Sequence, residues 1–167
     1  MDKYRRHIVF SEEIENALNE QLNTEFFSWY TYLAMSSYFK TLNLNGFGRW
    51  MSKQAEREMM HAMRIYEFLH ERDGGIMFRQ IGEPPPEWES PLAAVKLAYK
   101  HEQEASGRID RLVDLAMSDH AHATNSFLQW FVNEQVEEEG RLRSIVKKLE
   151  LVGEDRYGLF LIDRDMG

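Results

Sequence analysis

Apolar residues recur in alternating steps of four and three along four long stretches of this chain, a rhythm that only packed α-helices satisfy. The second stretch shows it best, with Phe47, Met51, Gln54, Glu58, His61, Ile65 and Phe68 forming one stripe. The others run Ile14, Leu18, Leu22, Glu25, Trp29, Tyr32, Ser36, Phe39; Val95, Ala98, Glu102, Ala105, Ile109, Leu112, Ala116; and Thr124, Leu128, Phe131, Gln135, Glu138, Leu142, Ile145, Leu149. A carboxylate sits near the middle of every stripe: Glu25, Glu58, Glu102 and Glu138. A Glu in mid-helix is more often a solvated surface residue, but here its neighbours along the stripe are apolar.

Local signals give the boundaries. Ser11 with Glu12 and Glu13 reads as an N-cap, and the first helix is expected over 11–39. A short polar link at Asn43 to Gly46 makes the second helix, 45–72, its antiparallel neighbour. Asp73-Gly74-Gly75 stops that helix, Ser90-Pro91 caps the third over 91–118, and the fourth covers 123–151 up to Gly153. A short apolar fifth helix is expected over 157–165, covered by the bundle end or by another subunit. Phe26, Phe27, Tyr30 and Leu33 form a second apolar flank on the first helix, read as a subunit contact.

The stretch 76–90 contains Pro84-Pro85-Pro86 and has no helical period. A 27-residue helix is about 40 Å long, and fifteen extended residues span about 50 Å. The link is therefore long enough to return along the whole bundle. The second and third helices are then parallel, in an all-α four-helix bundle with one long crossover.

Composition narrows the chemistry. Twenty Lys plus Arg against twenty-eight Asp plus Glu leave a net charge of −8, which argues against nucleic acid or an anionic membrane as partner and favours cations. With no Cys, disulfides and thiolate sites are excluded, so any metal is held by oxygen and imidazole. No apolar run approaches the roughly 18 residues of a membrane span, and Met1 to His7 lacks the apolar core of a signal peptide. A single cytoplasmic domain is expected, and four Trp with ten Phe in so charged a chain suggest an oligomer.

Four carboxylates converging in one interior exceed what a stability of about 5–15 kcal/mol tolerates without neutralisation. No Lys or Arg lies on the stripes. Glu58-x-x-His61 places a carboxylate and an imidazole one turn apart on one face, and Gln135 completes the polar set. Two divalent ions would carry the matching charge, iron first and manganese second, with zinc disfavoured by so many carboxylates. Glu58, one turn from His61, is the candidate bridging ligand.

With these residues in place the chain resembles a prokaryotic non-haem ferritin. The resemblance spans Ser11 to Asp165 and rests on residues 18–25 (Leu-Asn-Glu-Gln-Leu-Asn-Thr-Glu), Glu58-x-x-His61, Tyr99-Lys100-His101-Glu102, and residues 127–139 from Phe127 to Glu139. It implies a ferritin-like bundle in a hollow shell of 24 subunits, with Fe²⁺ oxidised at a diiron ferroxidase centre and stored as a ferric oxide mineral. Carried over, Glu25, Glu58 and His61 hold one iron, and Glu58, Glu102 and Glu138 the other, with Gln135 beside the second. Tyr32 matches a tyrosine near the centre and reads equally as a packed aromatic. A third iron site is implied at Glu134, Glu137 and Glu138, although Arg57 stands where that site commonly has a carboxylate. Haem is not expected, because the fourth helix carries Gln135-x-x-Glu138 in place of a second Glu-x-x-His. Asp119, His120 and His122 are candidate pore residues. The contrasting reading is a structural or partner-binding bundle without redox activity.

Overall fold

Ser11 accepts a hydrogen bond from the Ile14 amide at 3.2 Å and so opens α1, Glu12–Thr41. The computed structural model describes residues 10–167, so the opening Met1 to His7 lies outside it. After α1 come α2 (Asn45–Glu71), α3 (Pro91–Ser118), α4 (His122–Val152) and α5 (Arg156–Met166). Ser90 caps α3 through the Ala93 amide at 3.1 Å, with Pro91 in the first turn. Asp155 caps α5 through Tyr157 and Gly158.

The first three helices end alike. Asn43, Asp73 and His120 adopt left-handed φ values of 59°, 54° and 52°, and the amide after each reaches back to Phe39, Leu69 and Ala116 at 2.9, 2.8 and 2.8 Å. These short polar residues supply the left-handed turn that glycine more often provides. At the second stop it is Asp73, not the adjacent glycines, that turns.

Cross-helix contacts set the directions. Going up α1, Ser11, Gln21 and Tyr32 meet Asp119, Arg108 and Glu102 of α3, so those two helices are antiparallel. Phe10 against Phe68 and Ser36 against Gly48 make α1 and α2 antiparallel as well. It follows that α2 and α3 are parallel, as the length of the link requires.

The crossover itself climbs α1. Asn19 donates to the Gly75 carbonyl at 2.8 Å and accepts from the Met77 amide at 2.7 Å; Asn23 does the same to Met77 and Arg79, both at 2.7 Å. Two amides one helical turn apart thus pair with alternate residues of an extended strand. Further along, Phe26 meets Phe78 and Tyr38 meets Trp88 at 5.3 Å. Phe26 and Phe27 are thus partly covered within the chain, by the link and by His101, while Tyr30 and Leu33 of the same flank stay exposed.

The core has two apolar halves. One gathers Tyr32, Met35, Phe39, Phe47, Met51, Ala98 and Leu142; the other gathers Leu18, Leu22, Ile65, Leu69, Ile109, Leu112 and Phe131. The stripe carboxylates lie in sequence between these halves on all four long helices. The bundle end holds α5 while leaving Tyr157 and Phe160 exposed: Asp163 accepts from the Phe47 amide at 2.9 Å, and a Cβ on Gly46 would fall 1.7 Å from the Asp163 carbonyl oxygen. Only glycine fits that close approach.

Candidate metal centre

The helix rotation that buries each apolar stripe also buries its polar interruption. Glu25, Glu58, His61, Glu102, Gln135 and Glu138 are all at most 4% exposed, with His61 and Glu138 at 0%. Ligand-capable atoms of Glu25, Glu58 and His61 lie within 4.8 Å of one another, and so do those of Glu58, Glu102 and Glu138. Glu58 belongs to both groups. His61 Nδ1 lies 3.7 Å from Glu25 and 3.8 Å from Glu58, while its Nε2 is 3.9 Å from Glu138. None of these is a hydrogen bond.

Both nitrogens of His61, both side-chain oxygens of Glu138 and Oε1 of Glu58 are buried without any hydrogen-bond partner. Buried polar groups are normally satisfied, and a carboxylate left alone in an apolar interior is strongly destabilising. The donors are oxygen and imidazole, the set that suits iron or manganese. These unpartnered atoms converge on one region, an arrangement that a cation completes.

Electrostatics in the metal-free chain fit this picture. Burial, then the charges of Glu102, Glu25 and Glu138, push the Glu58 carboxyl well above its ordinary range. Burial and Glu138 raise Glu102 to about 8. Glu138 is raised by burial against the opposing pull of His61 and Arg57. Glu25 goes the other way: burial is outweighed by His61, by a contact with Glu58 and by the Gln21 amide, which lies 2.5 Å from its oxygen. His61 is raised because Glu25 and Glu138 overcome its desolvation.

A pH dependence follows. The unfolded chain gives up the Glu102 proton near 4.5, the folded one only near 8. Between those values the native state holds more protons, so stability falls as pH rises. Glu58 has the same sign. His61, with its folded pKa raised, contributes stability below its ordinary value that is also lost on going up, while the Glu25 contribution is already complete above 4.5. The metal-free protein should lose on the order of 10 °C in melting temperature from pH 5 to pH 8. Excess Mn²⁺ should remove that loss, since ligation displaces the protons. A flat or rising melting temperature in the metal-free protein would contradict the assignment.

Several supporting residues escaped the sequence reading. Gln21, one turn before Glu25, is itself held by Arg108 Nε at 3.3 Å. Ser106 donates to Glu139 and lies 3.4 Å from Gln135 Oε1. Trp130 meets His61 in a T-shaped pair with ring centres 5.4 Å apart and carries the Arg64 guanidinium on its face at 3.9 Å. The spacing of Gln21 to Glu25 was a usable signal; the others depend on contacts between helices. Tyr32 is buried and donates its hydroxyl to Glu102, in addition to packing in the core.

The three residues named for a third site separate. Glu134 and Glu138 form a further group with His61, whereas Glu137 is exposed and bound to Arg141 at 2.7 Å. Arg57 NH1 lies 3.8 Å from Glu138. Asp119, His120 and His122 are exposed at the α3–α4 turn, where Asp119 accepts from Ser11.

A four-helix bundle with one long crossover and a buried, unpartnered carboxylate–imidazole cluster at mid-height defines a class of protein built to hold metal ions within a helical bundle. The family model for the ferritin-like domain matches residues 15–152. The chain is 38% identical over 159 residues to the bacterial non-heme ferritin of Bacteroides fragilis, covering 95% of this chain and 99% of that one. It is 33% identical to that of Staphylococcus aureus, over 95% and 96%. A structure described as a novel open pore ferritin from the archaeon Archaeoglobus fulgidus superposes with a TM-score of 0.92 at 46% identity, over 94% of this chain and 97% of that one. The chain belongs to the ferritin family.

Proposed function

We propose that this protein takes up Fe²⁺, oxidises it at a two-ion centre and stores the ferric product as an oxide mineral inside a hollow assembly of 24 copies. The unpartnered donor atoms of Glu58, His61 and Glu138 carry the reading. In it, Glu25, Glu58 and His61 bind one Fe²⁺, and Glu58, Glu102 and Glu138 the other. Two divalent ions match four carboxylates in charge, and hard oxygen donors favour ferric over ferrous iron. Two Fe²⁺ surrender one electron each, and one dioxygen accepts the pair with two protons to leave as hydrogen peroxide. Glu58 and Glu102, held protonated in the metal-free chain, release protons as the metal enters. Gln135 orients next to the second ion, and Tyr32 holds Glu102. Haem has no place in this scheme.

Self-association is supported by an exposed apolar strip on α1 and the link, with Phe78 67%, Met77 45%, Tyr30 43% and Leu33 38% exposed. Strips of this kind mark protein contacts. The relatives are named as ferritins, which supports the reading of this chain as one subunit of an assembly. No described helix is long and apolar enough to cross a membrane, and we place the activity in the cytoplasm.

Adding Fe²⁺ to the metal-free protein in air should give ferric near-ultraviolet absorbance much faster than buffer alone, and light scattering should report a large uniform particle. Oxidation no faster than buffer would reduce the protein to a structural bundle.

A further inference from the structure

The centre is not bordered by carboxylates alone. Glu138 is fully buried, and neither of its oxygens has a hydrogen-bond partner. Its Oε1 is 3.9 Å from His61 Nε2 and 3.8 Å from Arg57 NH1. Glu138, His61 and half-buried Glu134 bring ligand-capable atoms within 4.8 Å of one another, a third group of donors beyond the two that share Glu58. Arg57 is 35% exposed, so it reaches from the surface of α2 to the same oxygen a third ion would use.

We infer that the Arg57 guanidinium acts as a tethered cation at the His61–Glu134–Glu138 group, excluding a third metal ion and holding the capacity of the centre at two. This rests on the two-ion reading proposed above. Charge decides it. Glu25, Glu58, Glu102, Glu138 and Glu134 are five negative groups, which two divalent ions and one guanidinium neutralise. A third divalent ion would add two further charges beside a fixed positive one. At 3.8 Å the guanidinium approaches Glu138 without a hydrogen bond, so an ion placed there would meet it directly. Arg57 is in this role a specificity-determining residue, setting how many ions bind and not the electron transfer itself.

The test counts ions without relying on turnover. Metal-free wild type, Arg57→Ala and Arg57→Lys are titrated anaerobically with Mn²⁺ as a probe that is not turned over, by calorimetry, and the sites are located by anomalous diffraction of crystals soaked in the same ion. Wild type and Arg57→Lys should bind two ions per chain, and Arg57→Ala three, the third at Glu134 and Glu138. Melting temperatures of the metal-free variants verify that each is folded. Two ions in Arg57→Ala, or three in Arg57→Lys, would overturn the inference, as would three in wild type with Arg57 in place. Fewer than two in wild type would instead sink the two-ion reading.

Discussion

A Glu58→Gln protein should lose fast iron oxidation while its metal-free form becomes harder to unfold. Both effects come from one position. Glu58 is the carboxylate common to the two donor groups, so its removal takes a ligand from both ions at once. Loss of an outer partner of a metal ligand already costs about 10–100-fold in affinity or activity, and losing the shared ligand should slow the initial oxidation by roughly 100-fold or more. Glutamine keeps the volume and removes the charge. In the metal-free chain burial and three neighbouring carboxylates favour the protonated form of Glu58, so folding at pH 7 to 8 must bind a proton that the unfolded carboxylate lacks; glutamine spares that uptake and should stabilise the fold by about 1–4 kcal/mol. Near pH 5 the wild-type carboxyl is protonated in the folded chain, and the difference should shrink towards zero. Stopped-flow absorbance and thermal melts with and without Mn²⁺ read the two effects. Wild-type oxidation rates in the variant would show that the ions bind elsewhere.

Asn19→Ala should be a costly substitution although it lies outside the centre. Asn19 is fully buried on α1, and its amide serves both the Gly75 carbonyl and the Met77 amide, with a further donation to Glu15 at 3.0 Å. Alanine strips two link backbone groups of partners at about 1–3 kcal/mol each and leaves a small void, so a loss of about 3–5 kcal/mol is expected. That corresponds to a fall of about 10 °C in melting temperature for a chain of this size. Because Asn23 still holds Met77 and Arg79, the link should loosen at its start while the helices persist. Limited proteolysis should therefore cut within residues 76–90 before anywhere else, with helical circular dichroism retained at room temperature. An unchanged cleavage pattern would mean that apolar contacts such as Phe26 with Phe78 hold the crossover without the amides.

The four long helices could be read from the chain to within about two residues because the signals that start and stop a helix are local. A hydroxyl or carboxylate one turn from a free amide makes a cap at Ser11 and Ser90 wherever the rest of the protein goes. The termination at Asp73 shows the limit. Asp73-Gly74-Gly75 marks the stop but not which of the three turns; Asp73 takes the left-handed conformation, since the return bond to Leu69 belongs to the residue after it. The aromatic flank of α1 shows another. An apolar surface calls for a cover, but its composition does not distinguish a partner subunit from a distant part of the same chain, and here the link supplies the cover for Phe26 and Phe27.

What the sequence determined by itself was one carboxylate at mid-stripe on each of four rods, and a link long enough to make two of those rods parallel. Side-chain periodicity and chain length are properties of the segment alone. The tertiary structure decided which oxygens come together, that Gln21 and Arg108 steady Glu25, that Glu137 turns away to Arg141, and that Arg57 reaches Glu138. Each of these depends on how every helix is rotated and how far it is slid against its neighbours, and that is settled only when the two apolar halves of the core pack around the layer between them.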